Sequence, residues 1–141
     1  MKPKEILVFG ATGNIGRNLI RKLTKNNYKV IAVTRNIHQK GFKLKTQANP
    51  GYLELVELES VNEEKITDLF KGCSVCINLI GFLYEKKKGQ FNKIHSVLPN
   101  ILSKIAKEKK IDQFIHVSAL GVENALDSEY AKSKLDGETN V

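Results

Sequence analysis

The chain has 141 residues, which is enough for one hydrophobic core and too few for two, so it is read as a single domain over residues 1–141. Apolar residues make up 41% and charged residues 27%, a balance that excludes a disordered or collagen-like polymer. The net charge of +8 comes from 23 basic against 15 acidic residues, but arginine occurs only at 17, 21 and 35, and the densest run, Lys86-Lys87-Lys88, has no interleaved aromatics, so nucleic acid is not expected as a partner.

Met1 to Glu5 leads straight into the apolar run Ile6–Phe9 with no signal-peptide pattern, and no apolar run approaches the ~18 residues of a membrane span. A cytoplasmic protein without a transmembrane segment is expected. Ile6–Phe9 reads as a strand ending at a glycine, and residues 14–27 place Ile15, Leu19 and Leu23 four apart on one helical face. Val30–Val33 reads as a second strand. Residues 36–51 are polar and read as irregular, with His38 in a loop. Leu53, Leu55, Val56 and Leu58 suggest a third strand.

Ser60-Val61-Asn62-Glu63 has capping-box spacing, so a helix capped by Ser60 is expected through Ile66, Leu69 and Phe70, with Gly72 as its stop. Val75–Ile80 reads as strand four. Residues 91–109 read as a helix with apolar positions at 91, 94, 98, 101, 102 and 105, bent at Pro99. Phe114–Val117 is strand five, containing His116 as a sheet residue, and residues 128 to 141 read as a last helix. Cys73 and Cys76 cannot staple a fold, supply too few ligands for zinc, and enter a strand where a redox pair would need a helix N-terminus, so they are assigned to core packing. No metal site is expected. Strands alternating with helices imply βαβ units: an α/β, Rossmann-like doubly wound parallel sheet of about five strands, with ligands at the carboxyl ends of the strands.

Gly10-Ala11-Thr12-Gly13-Asn14-Ile15-Gly16 ends the first strand and opens the first helix. Glycines there let the backbone turn sharply and approach a pyrophosphate, whose charge meets the N–H groups and dipole of the helix N-terminus. Gly10, Thr12, Gly13, Asn14, Ile15 and Gly16 are therefore candidate dinucleotide-binding residues, although the spacing is G-x-x-G-x-x-G and a ligand-free turn is the plainer alternative. An NAD site places an acid about 20 residues further on, and residues 30–39 contain none. Arg35 stands there instead, and Arg17 follows the last glycine. Two guanidinium groups suit a 2′-phosphate, so NADP(H) is favoured over NAD(H).

Tyr130-Ala131-Lys132-Ser133-Lys134 puts Tyr130 and Lys134 on one face of the last helix. An adjacent ammonium stabilises a phenolate, so Tyr130 could exchange a proton with a substrate oxygen that Ser118, 12 residues earlier, also bonds. Ser118, Tyr130 and Lys134 are the candidate catalytic residues.

With these motifs in this order, together with NLIG (78–81), Phe91-x-x-x-His95, FIHVSALG (114–121) and YAKSKLDGE (130–138), the whole chain resembles the extended or atypical short-chain dehydrogenase/reductases. Within them it is most similar to the NADPH-binding accessory subunits of respiratory complex I and their bacterial relatives. The resemblance implies pyrophosphate on the glycines, the 2′-phosphate on Arg17 and Arg35, Asn78 and Gly81 at the cofactor, and Ser118, Tyr130 and Lys134 at the nicotinamide end. It departs at Phe9, where many extended members have Thr, and at His95, where they have an Asn that helps hold the active-site lysine. The family continues well past this length, so the chain is expected to lack the C-terminal strands and substrate region. Strand five would then be an edge able to pair with another chain. Three functions follow: a protein holding NADP(H) as a structural group, with complex I or a second polypeptide supplying the missing half as partner and a cytoplasmic location peripheral to the inner membrane; an NADPH-dependent oxidoreductase; or a non-functional remnant of a split gene.

Overall fold

The computed structural model describes residues 5–125 and 127–141; residues 1–4, part of the stretch read for a leader, lie outside it. Five strands form one parallel sheet in the order β3-β2-β1-β4-β5: β1 Glu5–Phe9, β2 Lys29–Thr34, β3 Leu53–Glu57, β4 Cys73–Asn78 and β5 Gln113–His116. This is the Rossmann-like α/β arrangement expected. The period-2 alternation along β1 sorts its side chains to two faces. Leu7 and Phe9 join Ile31, Val33 and Cys76 in a core closed by Ile66, Phe70, Leu102 and Ile105, while Ile6 and Val8 join Val30, Ala32 and Ile77 under Ile20 and Leu44. Both faces are thus covered, as a parallel sheet requires.

The helices are α1 Asn14–Lys25, α2 Phe42–Gln47, α3 Glu63–Leu69, α4 Gln90–Asn92, α5 Leu98–Glu108 and α6 Glu129–Asn140. Residues 37–47, within the stretch 36–51, are not irregular: a π turn over Ile37–Gly41 runs directly into α2. The polar residues there face solvent, while Ile37, Gly41 and Leu44 form a narrow helical stripe against the sheet, with Leu44 fully buried and Ala48 packed beside it just past the helix. The cap of α3 is also corrected. Asn62, not Ser60, accepts a hydrogen bond from Lys65 N–H at 3.0 Å, so the helix starts two residues later than a Ser60 cap would set it. Gly72, at φ +80°, makes the turn into β4.

Strand four starts and ends two residues earlier than the apolar run suggested, because Cys73 lies opposite Glu5 and Asn78 opposite Phe9. Both cysteines are free and buried in it; burial pushes the Cys73 thiol up to about 11 and Cys76 further still, which makes them inert packing groups. The long helix of residues 90–108 contains a second π turn, Lys93–Val97, immediately before Pro99. Proline has no N–H to give the carbonyl four residues back, so the helical ladder is released at His95. Strand β5 pairs with β4 alone among the described residues and forms that edge of the sheet. No helix among the described residues is long and apolar enough to cross a membrane.

Candidate functional site

The carboxyl ends of β1, β2, β4 and β5 lie along one edge of the sheet, and the glycine turn leaves the first of them. Its three glycines have different reasons to be glycine. Gly10 sits at φ +79°, and a Cβ there would come within 2.8 Å of the Ile80 amide nitrogen, where β1 and β4 run out side by side. Gly16 is buried, and a Cβ would fall 2.5 Å from the Gly10 carbonyl oxygen and 2.6 Å from that of Ala11, so only glycine lets α1 lie against the turn. Gly13 is different. Its φ is −72° and the nearest atom to a Cβ is the Gly10 oxygen at 3.6 Å, so nothing in the fold excludes a side chain. It is the N-cap of α1, with no side chain capping the first turn and no acid in it. The N–H groups of that turn, from Asn14 to Gly16, thus have no intrahelical partner or capping side chain, and lie beside the half-buried Thr12 and the exposed Ile15. This uncapped helix N-terminus, with its positive character and the space left at Gly13, fits the pyrophosphate of a dinucleotide.

Arg17 is half-buried in the first turn of α1, and its Nε is buried without a hydrogen-bond partner. Arg35 is exposed just past β2. Thr34 is in register with Glu57 of β3, a carboxylate that local sequence reading missed because it comes from the neighbouring strand. Its Oε1 accepts from Ile37 N–H at 3.1 Å.

Asn78 is fully buried at the end of β4. Its Oδ1 accepts from Ile80 N–H at 3.2 Å and its Nδ2 donates to His116 Nδ1 at 3.2 Å, so the side chain ties β4 to β5 from inside the sheet. The loop that follows brings exposed Gly81 to α6: a Cβ on Gly81 would lie 3.5 Å from both Lys134 Nζ and His95 Nε2. Ser128 caps α6 by accepting from Ala131 N–H at 3.4 Å, which sets Tyr130 in its first turn. The Tyr130 ring stands edge-on to His95 at 5.4 Å and to Phe91 at 6.0 Å. One turn on, buried Lys134 donates to the Val117 carbonyl at 3.2 Å. The next residue, Ser118, has a buried Oγ without a partner. Gly81, Lys134 and the segment carrying Ser118 thus converge between β4, β5 and α6.

Burial holds the Lys134 ammonium below its ordinary pKa, opposed by Glu138 one turn away. Burial also lowers His116, aided by the Lys134 charge and opposed by Glu138. His95 falls furthest, to about 4, through burial and then the charges of Lys134 and His116. Sequence reading noticed His95 only as a departure from a family pattern. Its partners, Phe82 and Ser133, come from other elements, and no local signal announces them.

Over residues 10–137 the chain matches the NAD(P)H-binding family. It is 30% identical over 134 residues to the mouse mitochondrial "NADH dehydrogenase [ubiquinone] 1 alpha subcomplex subunit 9", covering 95% of this chain and 36% of that protein. The Neurospora crassa "NADH-ubiquinone oxidoreductase 40 kDa subunit, mitochondrial" is 28% identical over the same shares. The chain therefore spans about a third of the length of these relatives. Among solved structures, a putative NAD-dependent epimerase/dehydratase from Bacillus halodurans superposes with a TM-score of 0.79 at 20% identity, over 97% of this chain and 64% of that one. The Bordetella bronchiseptica enzyme WbmG, solved with NAD and UDP, superposes at 0.75 with 14% identity, over 99% and 49%. At such identities the superpositions speak for the fold alone. The match along nearly the whole chain, on a sheet whose first turn is open at Gly13, makes this chain a member of the NAD(P)H-binding family.

Proposed function

We propose that the chain binds NADP(H) across the carboxyl edge of its sheet and holds it as a structural group. The observation that carries this reading is Gly13, a glycine the fold does not need at a position where a bound pyrophosphate would need it. Gly10, Thr12, Gly13, Asn14, Ile15 and Gly16 form the cradle. Arg17, whose orphaned Nε lies beside it, and Arg35 take the 2′-phosphate, while the nearby Glu57 carboxylate is engaged by Ile37 N–H. The main chain from Asn78 to Gly81 and the side chains of Ser118, Tyr130 and Lys134 border the nicotinamide end.

NADPH should bind more tightly than NADH in isothermal titration. Gly13→Ala should weaken NADPH roughly tenfold or more with at most a loss of about 1 kcal/mol of stability from the poorer N-cap, since its Cβ would come no closer than 3.6 Å to the fold. Arg35→Ala should remove much of the NADPH preference, roughly tenfold for an exposed charge-assisted contact. Unchanged affinity in Gly13→Ala would sink the cradle, and an unchanged preference in Arg35→Ala the 2′-phosphate assignment.

When bound, the nicotinamide can supply or accept a hydride. Lys134, beside Gly81, and Tyr130, one turn before it on α6, favour a second reading in which Tyr130 gives its proton to a small carbonyl substrate. The structural reading is preferred because the Lys134 amine is bonded to the Val117 carbonyl and so serves the scaffold between β5 and α6. It expects no turnover when NADPH oxidation is followed over a panel of carbonyl compounds. A Tyr130-dependent rate above ~1 per second would overturn it. Respiratory complex I, or a second polypeptide pairing with the exposed edge of β5, is the partner this reading implies, with a peripheral place at the membrane.

A further inference from the structure

His95 is fully buried, and both of its ring nitrogens are used. Phe82 N–H donates to Nε2 at 3.2 Å, so Nε2 is an acceptor and the ring hydrogen must be on Nδ1. Nδ1 lies 2.9 Å from Ser133 Oγ and therefore donates to it; the Ser133 hydroxyl in turn donates to the Tyr130 carbonyl at 2.8 Å. One chain of hydrogen bonds thus runs from the loop after β4, through the π turn, to the first turn of α6. A doubly protonated ring would set N–H against N–H at Phe82.

The ring is also enclosed by Phe82 at 5.2 Å, Phe91 at 5.4 Å and Tyr130 at 5.4 Å, which leaves it one orientation. His95 sits within the π turn Lys93–Val97, a local unwinding that occurs frequently at functional sites. Gly81, next to the anchored Phe82, has both His95 Nε2 and Lys134 Nζ at 3.5 Å from its Cβ position.

We propose that neutral His95, in its Nδ1–H form, is a positioning residue that clamps the Gly81–Phe82 loop to the helix carrying Tyr130 and Lys134, and so sets the shape of the nicotinamide end of the site. This rests on the nucleotide-binding reading, which assigns that end its ligand. It says nothing of the adenosine half, which lies with β1, β2 and α1.

Two half-mimics separate the two bonds. A glutamine oxygen reaches about as far as Nε2 and can keep the Phe82 bond, whereas an asparagine amide reaches about as far as Nδ1 and can keep only the Ser133 bond. Titrations with NADPH and with 2′,5′-ADP, which lacks the nicotinamide half, are made on the wild type, His95→Gln and His95→Asn. The expected result is NADPH weakened five- to tenfold in both variants, roughly the factor one lost hydrogen bond brings, since each opens one end of the clamp, with 2′,5′-ADP unchanged. Should His95→Asn not fold, Ser133→Ala breaks the helix end of the clamp and carries the same expectation.

Equal losses for both ligands, or no loss of NADPH, would overturn the proposal. A wild type that binds neither ligand would overturn the nucleotide reading instead. The free protein still decides the clamp in that case. Nitrogen-15 spectra showing His95 protonated on Nδ1, with slow exchange of the Phe82 amide, support it; protonation on Nε2 or fast exchange refutes it.

Discussion

Gly137→Ala is expected to destabilise the protein by about 3 kcal/mol or more, lowering the thermal midpoint by about 10 °C. Gly137 is buried in α6 where that helix crosses the π turn, and a Cβ on it would overlap the His95 carbonyl oxygen and stand 3.0 Å from the carbonyl carbon. That carbonyl faces α6 because Pro99 cannot donate to it. Both obstructing atoms are backbone, so no rotamer change relieves the overlap and the two segments must part. Parting them strains the Ser133–His95 bond and the bond from Asn140 Nδ2 to Ser96 Oγ at 2.8 Å. Alanine favours a helix over glycine by only about 1 kcal/mol, so the clash outweighs the gain. Urea and thermal unfolding would measure the difference, and a midpoint equal to that of the wild type would show that the crossing is looser than its geometry indicates.

Acid should weaken the fold well before most carboxylates are protonated. His95 has a pKa of about 4 in the folded chain against 6.5 unfolded, so between those values the unfolded chain binds the extra proton. Stability contributed by this group is complete above pH 6.5 and is lost as the pH falls toward 4, reaching about 3 kcal/mol. His116, also held low by burial and by Lys134, acts in the same direction. The causes at His95 are its enclosure and the positive groups facing it from α6 and β5, Lys134 and His116; Glu138 on α6 offsets the charge only at those two neighbours. Urea midpoints at pH 7, 6, 5 and 4 should fall more steeply for the wild type than for His95→Gln, which has no proton to take up. Parallel slopes would remove His95 from the acid response.

What the sequence revealed follows the range of the interactions that build each element. The strands were legible because parallel strands covered on both faces must be continuous apolar runs, and Ile6–Phe9 and Val30–Val33 are such runs. Gly10 to Gly16 was legible because its strand and helix context is local. Residues 37–47 escaped because a helix that buries a narrow stripe around Leu44 looks polar when read residue by residue. At α3 two capping residues stood two positions apart, and only the tertiary fit of Ile66 and Phe70 selects Asn62. The difference among the three glycines depends on what approaches each of them in space. His95 joins partners 13 and 38 residues away, which no spacing rule connects.

The central place of β1 has a consequence for the chain while it is being made. Its neighbours in the sheet come from both sides of the sequence: β2 and β3 are complete by Glu57, but β4 is not complete until Asn78. At roughly 5–20 residues per second the ribosome takes about 1–4 s to add the intervening stretch. During that interval a three-stranded half-sheet can form with one flank of β1 unpaired, and that flank is Ile6 to Phe9, among the most deeply buried segments of the finished fold. Slow codons or stalling between Glu57 and Asn78 would lengthen the exposure, and the nascent chain would be most in need of a chaperone there.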